Sequence, residues 1–551
     1  KPPVGRVVPS PAHKNGEPDV VKTVDAKTLK GMINDGGELA LLDVREEGQF
    51  GVAHMLYAIP LPYSVLEMRL GQLVPRRSTR TVLVDGSDGV GEKAAKRMDV
   101  LGYSNVAVLK GGMDAWADAG YEVFMGVNVL CKAFGEVVEH AAHTPSISPE
   151  ELHAMQSGGE KVVVLDGRTP AEFNRMNIPA GVSVPNAELV YRVHDFAPDP
   201  DTTIVVNCAG RTRSIIGAQT LINARLPNRV VALRGGTMGW RLAGFQLENG
   251  TERSYGTLSE TARAKALTYA ADMADHWGVK TIDRATFDAW RNDENRTTYV
   301  LDVRSQEDFE AGHMPGSVFA PGGQLVQSSD QWCGTKGARI VLIDDDANVR
   351  AITTAHWLVQ MGWEVYALEG GIGSDGTGTG MPKAPTLGLE ALDLEEMDGE
   401  AVAAGVAAGE LALADTDISE DYVEDRLPGA TWGVRPRAQA LLDVLSDAPK
   451  IVLYSMHETR ARLIAFDLQE ISDKPIAILS GGRERWKAEG RPIEATPKDA
   501  ISQDDRIDFL FWVHDRHLGN DQAARDYLAW EEQLPAQIEA DGDATFNIVT
   551  P

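Results

Sequence analysis

One short pattern occurs four times in this 551-residue chain, at intervals as long as a whole domain. Each copy reads as a buried strand, an aspartate, an arginine two residues later and a short helix that ends near an aromatic residue. The four aspartates are Asp43, Asp166, Asp302 and Asp415, and in the fourth copy Asp417 takes the arginine position. Because the copies lie between 113 and 136 residues apart, they indicate repeated domains rather than the short units of a solenoid.

Each copy closes with a second pattern, a glycine pair that follows a strand. The pairs are Gly111 and Gly112, Gly235 and Gly236, Gly370 and Gly371, and Gly481 and Gly482. Glycine suits a tight strand-to-helix turn with positive φ. Strands that alternate with helices imply a parallel sheet covered on both faces. The sequence therefore predicts an α/β fold of four tandem domains, each a mostly parallel sheet with helices on both faces.

Composition shifts and helical patterns between the copies predict where the domains begin and end. The predicted segments are a flexible leader (1–19), domain one (20–125), a linker helix (126–145), domain two (146–250), a second linker helix (251–279), domain three (280–385), domain four (386–497) and a helical C-terminal tail (498–551). The tail is amphipathic and aromatic, so we expect it to pack on another domain or on a second subunit.

The second copy contains a loop that differs chemically from the others. Cys208 follows a β-branched strand and opens the sequence CAGRTR, and a helical pattern begins directly after it. Backbone N–H groups that curl into a helix N-terminus attract anions, and Arg211 and Arg213 add positive charge. Such surroundings favour a thiolate, so the sequence predicts a lowered pKa for Cys208 and a nucleophilic role.

This loop and its flanking segments resemble the rhodanese sulfurtransferase family. The strand, the cysteine-headed loop and the helix are followed by VVALRGGTMGW and preceded by VVVLDGRTPAEFNRMNIPAGVSVP, in the order that the family shows. The resemblance implies a Cys208 persulfide that takes sulfur from thiosulfate or a persulfide donor and passes it to cyanide or a thiol, with no metal or organic cofactor. The implied site residues are the nucleophile Cys208 and the substrate-binding residues Ala209, Gly210, Arg211, Thr212, Arg213 and Ser214.

The other three copies lack this cysteine. Alignment of the preceding strands places Asp85, Asp344 and Ser455 at the position of Cys208. None of these side chains can carry a transferable sulfur, so domains one, three and four are predicted to be inactive. The remaining cysteines are predicted to be incidental, with Cys131 packed on the first linker helix and Cys333 in an exposed or half-exposed loop.

Charge and apolar patterning limit the partners. The formal net charge of −28 argues against nucleic acid and anionic membranes, since both attract clustered positive charge. No apolar run approaches the roughly 20 residues that span a bilayer, and three separated cysteines predict no disulfide framework. We therefore expect a cytoplasmic protein whose partners are small molecules. The chain itself can form a homo-oligomer.

Two other functions fit parts of the pattern. Phosphatases and arsenate reductases of the same fold carry arginine six places after the cysteine, whereas this chain has Ser214 there and an arginine one place earlier. The shorter loop suits a sulfur atom better than a phosphoryl group. Three loops without cysteine also fit a non-catalytic scaffold, or a persulfide sensor or relay, and this second alternative stays open.

Overall fold

The computed structural model describes residues 21–497, 500–516 and 519–550, so the predicted leader at 1–19 lies outside the described residues. Four five-stranded sheets follow one another along the chain, one for each copy of the repeated pattern. We call the parts of the chain that form them units one to four. All neighbouring strands are parallel, and this confirms the predicted α/β fold.

Units one and two each alternate five strands with five helices. Unit one consists of β1 (Thr23–Val24), α1 (Ala26–Asn34), β2 (Ala40–Asp43), α2 (Glu47–Val52), β3 (Ile59–Pro60), α3 (Leu66–Leu73), β4 (Thr81–Val84), α4 (Val90–Val100), β5 (Val106–Leu109) and α5 (Gly112–Asp118). It is followed by the linker helix α6 (Val129–Ala142). Unit two consists of β6 (Ser146–Ile147), α7 (Pro149–Gly158), β7 (Val162–Asp166), α8 (Pro170–Arg175), β8 (Val182–Ser183), α9 (Leu189–Phe196), β9 (Thr203–Asn207), α10 (Thr212–Asn223), β10 (Val230–Leu233) and α11 (Gly236–Leu242).

Units three and four repeat the alternation after the second linker helix, α12 (Glu260–Trp277). Unit three consists of β11 (Lys280–Ile282), α13 (Arg284–Arg291), β12 (Thr298–Asp302), α14 (Gln306–Ala311), β13 (Val318–Phe319), α15 (Gly322–Gln327), β14 (Arg339–Ile343), α16 (Val349–Gln360) and β15 (Glu364–Leu368). Unit four consists of β16 (Glu395–Met397), α17 (Gly399–Ala408), β17 (Leu411–Asp415), α18 (Ser419–Glu424), β18 (Thr431–Trp432), α19 (Ala438–Val444), β19 (Lys450–Tyr454), α20 (Thr459–Ile471), β20 (Ile476–Leu479) and α21 (Gly482–Ala488). The tail contains α22 (Phe511–Asp515) and α23 (Asp521–Asp541).

All four sheets have the same strand order. In unit two the order is β6, β10, β9, β7, β8, which places β9 in the centre. Every residue of β9 is buried, because a central parallel strand is covered by helices on both faces, and β-branched residues suit this position. The strand that precedes Cys208 is therefore enclosed along its whole length.

The two linker helices and the tail pack between the units. Helix α6 contacts both α10 and α23, and α12 contacts α9 and α16. Ser259 caps α12 by accepting a hydrogen bond from the backbone N–H of Ala262 (3.1 Å), as its position before the helix predicts. Leu534 and Ile538 of α23 share a core with Val129 of α6, so the tail packs on the rest of the chain as expected.

Cys131 and Cys333 are both buried, with exposures of 2% and 0%. The predicted packing role of Cys131 is confirmed, since it lies in a core shared by α6 and unit three. The predicted exposure of Cys333 is wrong. The loop that contains Cys333 packs against unit one. A Cβ added to the neighbouring Gly334 would lie only 2.7 Å from the carbonyl oxygen of Leu73.

Buried ion pairs join the units in two places. Arg435 of unit four donates to Glu67 of unit one (2.6 and 3.0 Å), and Arg350 of unit three pairs with Glu188 of unit two. Within the described part of the chain, no helix combines the length and apolar character needed to cross a membrane.

Candidate functional site

Cys208 stands at the carboxyl end of the central strand β9, where the chain turns into α10. Ligands of parallel α/β sheets bind at this edge, because the loops after the strands converge there. The seven residues predicted from the sequence form this loop and the first turn of α10. The Cys208 side chain is only 2% exposed.

Hydrogen-bonding groups of the loop surround the Cys208 sulfur. Sγ lies 3.3 Å from Ser214 Oγ. The backbone N–H groups of Gly210 and Ser214 also interact with the sulfur, and both lower the pKa of the thiol. The Ser214 hydroxyl donates its own proton to the Arg211 carbonyl oxygen (2.8 Å), so the Cys208 thiol is the donor towards Ser214 Oγ.

The pKa of the Cys208 thiol is nevertheless raised above its ordinary value. Burial is the largest cause, and it outweighs the positive charge of Arg213 and the hydrogen bonds of Ser214 and Gly210. The predicted lowering of this pKa is therefore wrong for the unliganded loop. The sequence shows the nearby basic residues but not how completely the fold removes water from the sulfur.

Both arginines of the loop are engaged by carboxylates. Arg211 donates to Glu136 (2.8 and 2.7 Å) and also pairs with Glu139 of α6 and Glu532 of α23 (2.9 Å for Glu532). Arg213 makes a bidentate pair with Glu172, with both distances 2.7 Å. Arg211 therefore ties the loop to two helices, and both positive charges of the loop are paired with carboxylates.

The aspartate that replaces Cys208 in unit one accepts hydrogen bonds from the amides of its own loop. Asp85 accepts hydrogen bonds from the backbone N–H groups of Ser87 and Gly91, both at 3.0 Å. Counted from the residue after the strand, these are the same two positions as Gly210 and Ser214 in unit two. The amides that face the Cys208 sulfur are therefore the ones that hold a carboxylate in unit one.

Unit three repeats this internal carboxylate with a slightly different loop. Asp344 accepts from the backbone N–H of Asp345 (2.7 Å) and of Ala351 (3.0 Å). In unit four Ser455 accepts only a long hydrogen bond, from Ala461 N (3.4 Å). Among the four loops, all of which lie in the described residues, only that of unit two combines these amides with a thiol.

The repeated Asp-Arg pattern is a buried structural ion pair. Arg168 makes two hydrogen bonds to Asp166 (2.8 and 2.7 Å) and donates to the Met176 carbonyl oxygen (2.7 Å). The same bidentate pairing joins Arg45 to Asp43 and Arg304 to Asp302.

In unit four, an arginine from a different position in the sequence takes the place of the missing one. Arg483, directly after the glycine pair, lies 3.0 Å from Asp417 and donates to the Asp425 carbonyl oxygen. Asp425 stands eight residues after Asp417, as Met176 stands eight residues after Arg168. A guanidinium therefore occupies this place in every unit, which fits a role in folding rather than in chemistry.

A cavity of about 140 Å³ lies beside the Cys208 loop and reaches Ala209. Among the described residues its charged lining is mainly basic, with the arginines Arg168, Arg175, Arg241 and Arg516 and the acid Glu172. Arg516 comes from the tail, far from the loop in sequence. Arg168 is paired with Asp166 and Arg241 with Asp521 (3.3 Å), so the cavity is basic but part of its positive charge is already balanced.

Sequence reasoning missed this cavity, although the repeats contain a signal for part of it. Arg175 stands where unit one has Val52 and unit three has Ala311, and Arg241 stands where unit one has Ala117. Unit four has Lys487 at the position of Arg241 and Glu424 at that of Arg175, so of these two arginines only Arg175 is a basic residue found solely in the cysteine-bearing copy, and it indicates a local role. Arg516 belongs to no repeat, so only the tertiary structure associates it with the loop.

The tail helix also closes one side of the loop. A Cβ on Gly210 would lie 2.8 Å from Met238 Cε, 3.3 Å from Glu531 Oε2 and 3.6 Å from Leu528 Cδ2. A side chain at Gly210 would therefore collide with α11 or press on α23.

Comparisons with known proteins agree with this architecture. The family model for the Rhodanese-like domain matches residues 25–119, 148–243 and 283–374. The solved structure of a thiosulfate sulfurtransferase from Pseudomonas aeruginosa is 42% identical, covers 96% of this chain and 100% of its own, and superposes with a TM-score of 0.91.

Shorter matches involve single units. A protein named Sulfurtransferase from Allochromatium vinosum is 30% identical over 101 residues, which are 18% of this chain and 92% of that protein. Protein HIGH ARSENIC CONTENT 1 of Arabidopsis thaliana, described as mitochondrial, is 29% identical over 112 residues. That match covers 18% of this chain and 64% of the plant protein. The three domain matches and the whole-length similarity to a solved structure show that this chain belongs to the rhodanese family.

Proposed function

We propose that this chain is a sulfurtransferase that moves a sulfane sulfur from thiosulfate or a related donor to cyanide or a thiol through a persulfide on Cys208. One observation carries the proposal. The amides of Gly210 and Ser214 face the sulfur at the positions where the amides of Ser87 and Gly91 hold the Asp85 carboxylate. A persulfide anion on Cys208 would receive the stabilisation that the carboxylate receives in unit one.

The first half of the reaction forms the persulfide. The Cys208 thiolate attacks the outer sulfur of thiosulfate, a new S–S bond forms, and the bond between the two sulfurs of thiosulfate breaks. Its electron pair leaves with sulfite, and Cys208 keeps the transferred sulfur as a persulfide anion. Backbone N–H groups of the loop hold the negative charge throughout, so little reorganisation is needed.

The second half returns the enzyme to its starting state. Cyanide or a thiolate attacks the outer sulfur of the persulfide, the S–S bond breaks, and its electron pair stays on Cys208 as thiolate. The product is thiocyanate or a new persulfide. Donor and acceptor react in turn with the same atom, so the expected kinetics are ping-pong.

The arginine-lined cavity beside Ala209 supports an anionic donor. Arg175 and Arg241 add positive charge at the entrance to the loop, although the whole chain is strongly acidic. Local charge decides the binding of a small anion, because charges beyond roughly 10 Å are largely screened at physiological salt. The Cys208 proton must leave before attack, and the adjacent Ser214 can then turn its hydroxyl towards the thiolate.

A scaffold or a persulfide relay is the second candidate, and the carboxylate-filled loops of units one and three favour it. Asp85 and Asp344 already satisfy the amides that would hold a substrate anion. Units of this kind can contribute to packing without binding a substrate. The two candidates differ in whether thiosulfate loads Cys208.

The deciding experiment is intact mass measurement after exposure to thiosulfate, with and without cyanide, followed by peptide mapping. We expect a gain of one sulfur atom on the Cys208 peptide, loss of that sulfur after cyanide, and no gain in Cys208→Ser. A wild-type chain that gains no sulfur from thiosulfate or from a persulfide donor would contradict the enzyme proposal and favour the scaffold.

A further inference from the structure

A second cavity, of about 240 Å³, lies between unit one, α6, unit three and the tail, away from the Cys208 loop. Leu41 and Phe50 of unit one form one wall, and Val129 and Cys131 at the start of α6 form another. Trp363 of unit three contributes a third wall. Four separate parts of the chain therefore build this space, unlike a packing defect inside one core.

The volume of the cavity limits the size of a ligand. A cavity of about 150 Å³ holds one benzene ring in a protein core. The larger space here accommodates two fused rings, or one ring with a short substituent. The exposed Gly36 and Gly337 border the cavity, so it reaches the solvent.

The lining defines the chemistry of the ligand. Most of the wall is aliphatic or aromatic, and the rings of Phe50, Tyr57 and Trp363 offer faces and edges for an aromatic molecule. One carboxyl group, that of Asp330, enters this apolar space. The Asn128 amide, in the orientation that satisfies its hydrogen bonds, donates to the carboxylate oxygens at 3.1 and 3.3 Å.

Asp330 can accept a further hydrogen bond. A carboxylate has about four acceptor positions, and the Asn128 amide and the backbone N–H groups of Asp330 and Gln331 already interact with it, so a ligand donor would take a remaining position or replace the long Asn128 hydrogen bond. Burial raises the pKa of Asp330 to about 6, while the charges of Arg69 and Lys132 act in the opposite direction. The charges of Arg69 and Lys132 act on Asp330, and Lys336 adds a cation to the lining, so a charged ligand is not needed to balance the carboxylate, and an anion would lose its hydration in the apolar space.

We propose that this cavity is a binding site for a small, neutral, mostly apolar aromatic molecule that carries one N–H or O–H donor. The donor faces Asp330 and the ring fills the space between Phe50 and Trp363. The site shares α6 with the Cys208 loop. The first turn of this helix lines the cavity, and its later residues Glu136 and Glu139 hold Arg211.

Calorimetric titration of the full chain with indole tests the proposal, and indole-3-carboxylate is the charged control. We expect indole to bind once per chain with saturable heat, and the carboxylate to bind at least about tenfold more weakly. Cys208→Ser should bind indole like the wild type, because the cavity does not include the loop. Indole binding can therefore be measured independently of sulfur transfer.

Two substitutions that fill the cavity test whether indole binds there. Cys131→Leu and Ala58→Phe each add volume to the wall, and each should weaken indole binding at least about tenfold. Ala141→Leu, on the exposed side of α6, is the matched control and should bind normally. If one filling variant fails to fold, the other serves. Absence of saturable heat with wild type, or unchanged binding in the folded filling variants, would overturn the proposal.

Discussion

The reactivity of Cys208 depends on two opposing effects on a single atom. Burial stabilises the neutral thiol, whereas the amides of Gly210 and Ser214 and the charge of Arg213 stabilise the thiolate. Burial prevails in the unliganded loop. The same enclosed environment strengthens the hydrogen bonds to a persulfide once it has formed.

The raised pKa predicts how sulfur loading depends on pH. Only the thiolate attacks thiosulfate, and below the pKa its fraction increases about tenfold for each pH unit. We expect the single-turnover loading rate to rise with this slope from neutral pH, without a plateau below about pH 8.5. Rapid-quench measurement of persulfide formation between about pH 6 and pH 10 provides the check. A plateau near neutrality would show that the pKa is lowered.

Removal of the Ser214 hydroxyl should raise the thiol pKa further. Ser214→Ala deletes the hydroxyl that turns to donate a hydrogen bond to the thiolate; this bond lowers the pKa and is worth about 1 kcal/mol, so loading at neutral pH should slow about fivefold. The alkaline limb of the pH profile should move upward. Ser183→Ala is the matched control, because the buried Ser183 hydroxyl in the same unit has no hydrogen-bond partner among the described residues. Equal rates in the two variants would exclude this role of Ser214.

At the scale of elements, the loop is positioned by helices outside its own sheet. Arg211 connects the loop to α6 through Glu136 and Glu139 and to α23 through Glu532. The Glu136 side chain is fully buried, whereas Glu532 is 59% exposed. An ion pair of a buried carboxylate depends far more on its partner than an exposed pair does.

The two carboxylates should therefore differ sharply when neutralised. Glu136→Gln should lower the free energy of unfolding by about 2 kcal/mol, since it leaves a largely buried guanidinium with weaker partners. Glu532→Gln should cost less than about 0.5 kcal/mol, because water screens the exposed pair. Urea unfolding of both variants measures the difference. Similar losses would mean that the tail and α6 hold Arg211 equally.

At the scale of the whole molecule, buried ion pairs join units that are distant in sequence. Arg435 of unit four contacts Glu67 and Asp467, and the side chains of Arg435 and Glu67 are 2% and 0% exposed. The cysteine-bearing unit is not part of this contact. Stability and sulfur loading are therefore expected to respond separately to changes at this interface.

Glu67→Gln tests this separation. It leaves a buried guanidinium partly unpaired and should destabilise the chain by about 3 kcal/mol. Sulfur loading of Cys208, followed by intact mass at 25 °C, should match the wild type as long as the chain is folded. Asp505→Asn breaks an exposed pair with Arg437 and should cost less than about 0.5 kcal/mol. Loss of loading in folded Glu67→Gln would show that the units are coupled in function.

The sequence by itself determined the four units, their parallel sheets and the position of the cysteine loop. These features depend on local patterns, because strand, turn and helix signals such as the glycine pair at Gly235 recur within a few residues. The placement of Cys208 after a buried strand is also local. Such patterns survive in any copy of the unit, which is why the copies without this cysteine helped to define the one that has it.

Only the tertiary structure decided what surrounds the loop. Arg211 and Glu532 are 321 residues apart, and no local pattern predicts that they pair. The burial of Cys333 and the position of Arg516 beside the Cys208 loop likewise follow from contacts between units and with the tail. Desolvation and ion pairing depend on every group packed around a side chain, so they are properties of the folded chain and not of the motif.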